Sequence, residues 1–238
     1  MIGNGTTFLS NDESFLKYFL REGNAYIDAG ANIGHLAFAA KSIVGNSGNV
    51  YASEANPHPY NYLTANSRVN GYNVNSFNCI LSSSSGGELY VSNLHADDCN
   101  SIVDANDRNN HISVKAKSLD DVLSDLTAIR LLKIDIEGYE FQALKGAGKT
   151  LEITDIVYFE HSREMSRKYG YSSKGLYELF LSKGFKIYSP KALERCDYIL
   201  SETTPHEEAI TPIAMEDFGK DGKANNYISI KSGVDINL

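Results

Sequence analysis

Three charged side chains, Lys133, Asp135 and Glu137, stand at alternate positions in and just after the apolar run 129–136. On an extended strand such residues share one face. Three charges there are costly unless they serve one another or a ligand. The next apolar run, 155–160, ends in Glu160 and is followed by His161, which adds an acid and an imidazole to the same rim. These groups suit removal of a proton from a bound hydroxyl as it attacks an electrophile. Asp135, Glu160 and His161 are the candidate bases: an imidazole has an ordinary pKa of about 6.5, and a carboxylate can be tuned upward by desolvation. Lys133 completes the catalytic set or pairs with its acids. Alternatively, Asp135, Glu137 and Glu160 could hold a magnesium ion that orients and acidifies the hydroxyl. No aspartate–asparagine pair follows Glu160 to complete such a cage, which favours the metal-free route. Glu140 and Lys145 read as solvated helix faces.

A second constellation lies upstream. Residues 27–34 read Ile-Asp-Ala-Gly-Ala-Asn-Ile-Gly, a short apolar run turning through glycines into a helix. Glycines there let the backbone approach a ligand closely. A dinucleotide fingerprint would need G-x-G-x-x-G; the pattern here is D-x-G-x-N-x-G, built on Asp28, Gly30, Asn32 and Gly34. A carboxylate at that point gains nothing from phosphate but favours a cationic ammonium or sulfonium. Glu54 closes the following strand, where an acid can take both ribose hydroxyls. A glycine turn and a ribose acid without a pyrophosphate cradle fit S-adenosylmethionine better than NAD. The predicted cofactor residues are Asp28, Gly30, Ala31, Asn32, Gly34, Glu54, Ala55 and Ser82. His35, just after Gly34, could touch the cofactor but is expected to pack at the helix start.

These residues need elements to place them. Apolar periodicity and caps predict helices over 12–22, from Gly34 to about Val44, from Asn56-Pro57 to Gly71, over 119–126, 138–144 and 172–183. Strands are predicted over 25–29, 49–54, 76–82, 88–92, 112–116, 129–136, 155–160, 185–189 and 226–231. Strands alternating with helices imply an α/β fold, a parallel sheet with helices on both faces. Two polar or irregular segments, 93–110 and 190–225, interrupt the rhythm and are candidate lid or substrate-binding loops. No repeat or linker divides the chain, so one domain over 1–238 is expected, with residues 1–23 as an N-terminal helical segment.

The loop at 27–34 resembles motif I of class I S-adenosylmethionine-dependent methyltransferases, and more narrowly the FkbM family. Three further stretches carry the narrower resemblance: Glu54-Ala55-Asn56-Pro57 with Leu63, Asn66 and Asn70; Ser118-Leu119-Asp120-Asp121; and Leu132-Lys133-Ile134-Asp135-Ile136-Glu137-Gly138-Tyr139-Glu140 with Leu144, Lys145 and Gly146. Family members commonly place proline directly after the second motif's acid, where this chain has Ala55. The resemblance implies a Rossmann-like three-layer αβα sandwich with a seven-stranded, mostly parallel sheet whose last strand is antiparallel. It also implies O-methylation of a sugar, glycan or small natural product. The rival readings are an NAD-dependent oxidoreductase, which lacks its third glycine here, and a non-catalytic cofactor-binding module.

Composition bounds these readings. The 238 residues carry 22 basic and 30 acidic side chains, a net charge of −8, with 42% hydrophobic and 22% charged residues. This is ordinary for a globular chain and wrong for disorder. The acidic balance argues against nucleic acid or an anionic membrane as partner and agrees with a neutral or cationic acceptor. Three dispersed cysteines, Cys79, Cys99 and Cys196, have no metal-ligand spacing and read as free thiols of a reducing compartment. The first twelve residues lack the features of a signal peptide, and no apolar run reaches membrane-spanning length. A cytoplasmic location is the expectation.

Overall fold

The computed structural model describes residues 11–92, 102–103, 111–188, 212–220, 222 and 224–234. Most of the predicted loops 93–110 and 190–225 lie outside them.

Seven strands form the main sheet. They are β1 (Ala25–Ala29), β2 (Asn49–Glu54), β3 (Asn75–Asn78), β8 (Ile129–Ile134), β9 (Thr154–His161), β10 (Phe185–Tyr188) and β11 (Asn225–Lys231). Their order is β10-β11-β9-β8-β1-β2-β3. The pairings from β9 through β8, β1 and β2 to β3 are parallel, whereas β11 is antiparallel to both its neighbours, β9 and β10. The predicted mostly parallel sheet with an antiparallel last strand is therefore observed.

Strand alternation sorts the core onto two faces. Ile27, Leu132, Val157 and Phe159 pack in one cluster with Leu119, Ala143, Leu176 and Phe180. Tyr26, Leu131, Ile156 and Tyr158 pack in another with Phe15, Phe19, Ala37, Ala40 and Leu63. The second cluster belongs to α1 (Asn11–Phe19), α2 (His35–Val44) and α3 (Pro57–Val69); the first to α4 (Leu119–Val122), α5 (Glu140–Lys145) and α8 (Ser173–Ser182). Three layers result, with both sheet faces covered. Among the described residues no helix is long and apolar enough to cross a membrane.

The predicted strand 76–82 is divided in two. Asn78 Nδ2 donates to the carbonyls of Glu54 (2.9 Å) and Ala55 (2.8 Å), which ends the ladder with β2. The chain then crosses as β4 (Ile80–Leu81) into a second sheet of order β4-β7-β5-β6, with β5 (Glu88–Ser92), β6 (Ile102–Val103) and β7 (His111–Lys117). Periodicity alone cannot show that one apolar run serves two sheets. Two short helices were also not foreseen, α6 (Gly148–Glu152) and α7 (Arg163–Lys168). The first is pinned by Asp120, whose carboxylate accepts from the Lys149 and Thr150 amides at 3.1 and 2.7 Å.

The ends of the two central strands touch. The Asp135 amide donates to the Ala29 carbonyl at 3.0 Å. A Cβ on Gly30, whose φ is 82°, would fall 1.9 Å from the Asp135 carbonyl oxygen. Only glycine fits both the left-handed backbone and the contact. Gly30→Ala is therefore expected to cost about 2–4 kcal/mol, from the left-handed penalty and the overpacking together. Urea unfolding with an unchanged midpoint would contradict this account.

Candidate functional site

A cavity of about 490 Å³ opens beyond the carboxyl ends of β2, β1 and β8, where open α/β sheets bind ligands. Asp28, Gly30, Ala31 and Asn32 line it from β1 and its loop, Glu54 and Ala55 from β2, and Lys133, Asp135 and Glu137 from β8 and its loop. The second sheet closes one wall with Ile80, Leu81, Val91 and Ile102. Two distant sequence motifs thus meet on one surface.

Charges are stitched across its floor. Asp28 and Lys133 are register partners on adjacent strands. Lys133 Nζ lies 3.4 Å from Asp28 Oδ1, 3.4 Å from Asp135 Oδ2 and 3.3 Å from the Gly30 carbonyl. Asp28 is 1% exposed, whereas the Asp135 side chain is 40% exposed. Burial works against the ammonium, but the two carboxylates outweigh it and hold Lys133 above its usual range. The sequence reading aimed Asp28 at a cationic ligand. The structure instead meets its charge from within, and the negative charge left over, two carboxylates against one ammonium, belongs to the trio.

Glu54 is buried in the cavity wall. One of its oxygens accepts the Asn32 amide at 2.9 Å and the other the Asn56 amide at 2.8 Å. Burial pushes its carboxyl pKa up, and those two amides pull against that. Each carboxylate oxygen can accept a second hydrogen bond. The residue can therefore hold a vicinal diol while bracing the glycine loop on one side and the α3 cap on the other. An acid able to hold a diol and a glycine loop thus stand together in a cavity of ordinary ligand-pocket volume.

The loop after β8 departs from expectation. The strand ends at Ile134, and Glu137 has a φ of 58°, so Glu137 does not share an extended face with Lys133 and Asp135. Glu140 is not on a solvated face. It is 1% exposed, and its Oε1 accepts the Ile136 and Gly138 amides, both at 3.0 Å. Its pKa is pushed up to about 7 by burial, against those amide bonds.

Glu160 and His161 separate for a simple reason: neighbours on a strand point to opposite faces. Glu160 stands near Asp135, Glu137 and Lys133 in electrostatic reach, and burial together with the two acids pushes it up to about 7. It does not line the cavity. His161 shares the face of Phe159 and is buried, stacked on Phe218 at 4.7 Å, with Nε2 2.8 Å from Ser173 Oγ. Burial, aided by Arg163, lowers its pKa to about 4. The expectation of an imidazole at the rim is corrected: His161 is a neutral core residue. For the alternative grouping of Asp135, Glu137 and Glu160 around magnesium, the structure gives electrostatic proximity of the three acids and no closer arrangement. Among the described residues no set of three or more His, Cys, Asp or Glu side chains is arranged to hold a metal ion.

Two predicted cofactor residues lie off the cavity. Gly34 (φ 95°) caps α2, and a Cβ there would strike Phe38. The Ser82 amide donates to the Lys117 carbonyl at 2.8 Å, and a Cβ on Gly146 would meet the Ser82 carbonyl at 2.1 Å, so Ser82 is spent on packing. Sequence reasoning missed Cys79, Ile80, Val91, Ile102 and Tyr139, which line the cavity. None carried a signal, because their places follow from the second sheet and the bent loop. His35, read as able to touch a cofactor but expected to pack at the helix start, lines the cavity and pairs with Glu13 at 3.0 Å.

The family described as the methyltransferase FkbM domain matches residues 28–187. Among solved structures, the chain is similar to methyltransferase FkbM from Methylobacillus flagellatus at 18% identity and a TM-score of 0.44, over 59% of this chain and 34% of that one. The match thus spans about a third of that protein's length. A TehB-like S-adenosylmethionine-dependent methyltransferase from Corynebacterium glutamicum aligns at 10% identity and a TM-score of 0.50, over 97% of this chain and 90% of the other. At that identity the likeness concerns the fold alone. An S-adenosylmethionine-dependent O-methyltransferase from Thermotoga maritima aligns at 14% identity and a TM-score of 0.46, over 98% and 69%. No curated protein matches. The family match sets aside the nicotinamide-dependent alternative. Covering well over half of the sequence, it shows that the chain belongs to the FkbM methyltransferase domain family, a class of S-adenosylmethionine-dependent methyltransferases.

Proposed function

We propose that this chain transfers a methyl group from S-adenosylmethionine to a hydroxyl of a sugar, glycan or small natural product. The observation that carries this reading is the arrangement along one cavity: buried Glu54 over β2 and half-exposed Asp135 over β8, with the glycine loop between them. When bound, S-adenosylmethionine supplies a methyl group on a sulfonium, whose C–S bond breaks as the new O–C bond forms. Glu54 would hold the ribose hydroxyls, and Gly30, Ala31 and Asn32 would line the cofactor's path. The net negative Asp28–Lys133–Asp135 trio favours a cationic cofactor beside it. Asp135 is assigned to take the hydroxyl proton, with Glu160 as the coupled acid behind it. Burial, with the charges of Asp135 and Glu137, pushes Glu160 up to about 7, so its ionisation near neutrality changes the negative charge close to the assigned base. Lys133 restrains Asp135 rather than exchanging protons. The net charge of −8 supports a neutral or cationic acceptor over a nucleic acid.

Three measurements test this. Charge-assisted hydrogen bonds contribute roughly 1.5–3 kcal/mol each, so Glu54→Ala should weaken S-adenosylhomocysteine binding at least about tenfold by calorimetry. An unchanged dissociation constant in the folded variant would remove Glu54 from the cofactor site. For pH, a raised pKa means that Glu160 carries a proton below about 7 and releases it above. The methyl-transfer rate should therefore rise with pH through about 7, and Glu160→Gln should abolish that limb. Asp135→Asn should slow transfer by about 10²–10⁴-fold. A wild-type profile flat from pH 6 to 8 would speak against the carboxylate pair. Finally, activity should survive chelator; loss restored by magnesium alone would overturn the metal-free route.

A further inference from the structure

Asn32 (φ 48°) and Glu137 (φ 58°) are the non-glycine residues with left-handed backbone among those described, and both line the cavity. Such strain persists only where the surroundings over-determine it, and it concentrates at functional sites. Each of the two is held by a buried glutamate. Glu54 accepts the Asn32 amide at 2.9 Å. Glu140 accepts the amides of Ile136 and Gly138, both at 3.0 Å, which are the residues on either side of Glu137. Below them the Tyr171 hydroxyl donates to the Gly138 carbonyl at 3.0 Å. Gly138 in turn is packed so closely that a Cβ would fall 2.4 Å from the Met165 Cβ.

If the turn alone mattered, glycine at 137 would make it without strain. A carboxylate there instead adds a third negative group beside Asp135 and Glu160, which resists its charge. We propose that Glu137 is the acceptor-binding carboxylate on the β8 side of the cavity, and that Glu140 is the positioning residue that turns it there. This rests on the methyltransferase reading of the cavity. The strand order separates the roles: Glu54 follows β2 on one side of the glycine loop, and Glu137 follows β8 on the other. A carboxylate accepts hydrogen bonds from hydroxyl groups and repels anions. The acceptor it selects is an uncharged or cationic polyhydroxyl compound, and an acidic sugar is turned away.

The test uses the whole chain loaded with S-adenosylhomocysteine, with methyl α-glucoside, methyl α-mannoside, methyl α-galactoside and glucuronate as probes, followed by ligand-observed NMR. Wild type should bind at least one neutral glycoside and not glucuronate. Glu137→Gly should keep or raise the melting temperature and leave the S-adenosylhomocysteine dissociation constant within twofold, yet weaken glycoside binding at least tenfold. Glu140→Ala should weaken the glycoside similarly, and Glu140→Gln, which keeps one carbonyl acceptor for both amides, should restore it. If Glu140→Ala does not fold, Glu140→Gln and Glu137→Gly still decide the matter. Glycoside binding unchanged in Glu137→Gly, or no neutral glycoside bound by loaded wild type, overturns the proposal while leaving the cofactor site standing. Failure of wild type to bind S-adenosylhomocysteine overturns the methyltransferase reading and this inference with it.

Discussion

The ion trio of Asp28, Lys133 and Asp135 is the constraint on which the rest of the structure turns. A buried lysine among apolar strands is costly, and removing a single partner from such a group costs more than the group contributes. The trio is satisfied only while Asp28 and Lys133 remain opposite one another, as register partners on β1 and β8. A slip of one residue would turn one of them to the other face of the sheet. Charge pairing and strand register are therefore the same requirement, and it falls at the centre of the sheet where the cavity opens. The Gly30–Asp135 contact enforces it sterically from above.

From this seam the cavity gains a fixed floor and two shaped rims. The rims are turns that an L-residue adopts at a cost, and each is held by amides donated to a buried carboxylate, that of Glu54 or of Glu140. Such bonds are stronger than those between neutral partners. Neither turn can relax without leaving a buried acid short of donors. The second sheet does complementary work. Its described residues contribute no charged group to the cavity, but its apolar Val91 and Ile102 close a wall that the main sheet leaves open.

Residue type also proves a poor guide to chemistry without its surroundings. The imidazole of His161 has the most suitable ordinary pKa for a base near neutrality, yet its face of β9 buries it against Phe218. One position earlier, Glu160 has an unsuitable ordinary pKa, and burial beside two acids moves it to about 7. Burial shifts both, in opposite senses, because it disfavours the charged form of each.

The α/β alternation, the helices on both sheet faces and the helix start at Asn56-Pro57 were legible in the sequence, since each depends on local periodicity or on a side chain reaching its own backbone. The glycine loop, Glu54 and the acids after β8 were legible for the same reason: charges and glycines at the ends of apolar runs stand out against them. What the tertiary structure alone decided is how those groups face one another. Asp28 meets Lys133 because two strands distant in sequence are adjacent in the sheet, and the run 76–82 feeds two sheets because Asn78 closes one ladder. Glu140 leaves its solvated face because the turn before it presents two amides that need an acceptor. Local pattern records what each residue costs to bury; only the folded chain supplies the partner that offsets it.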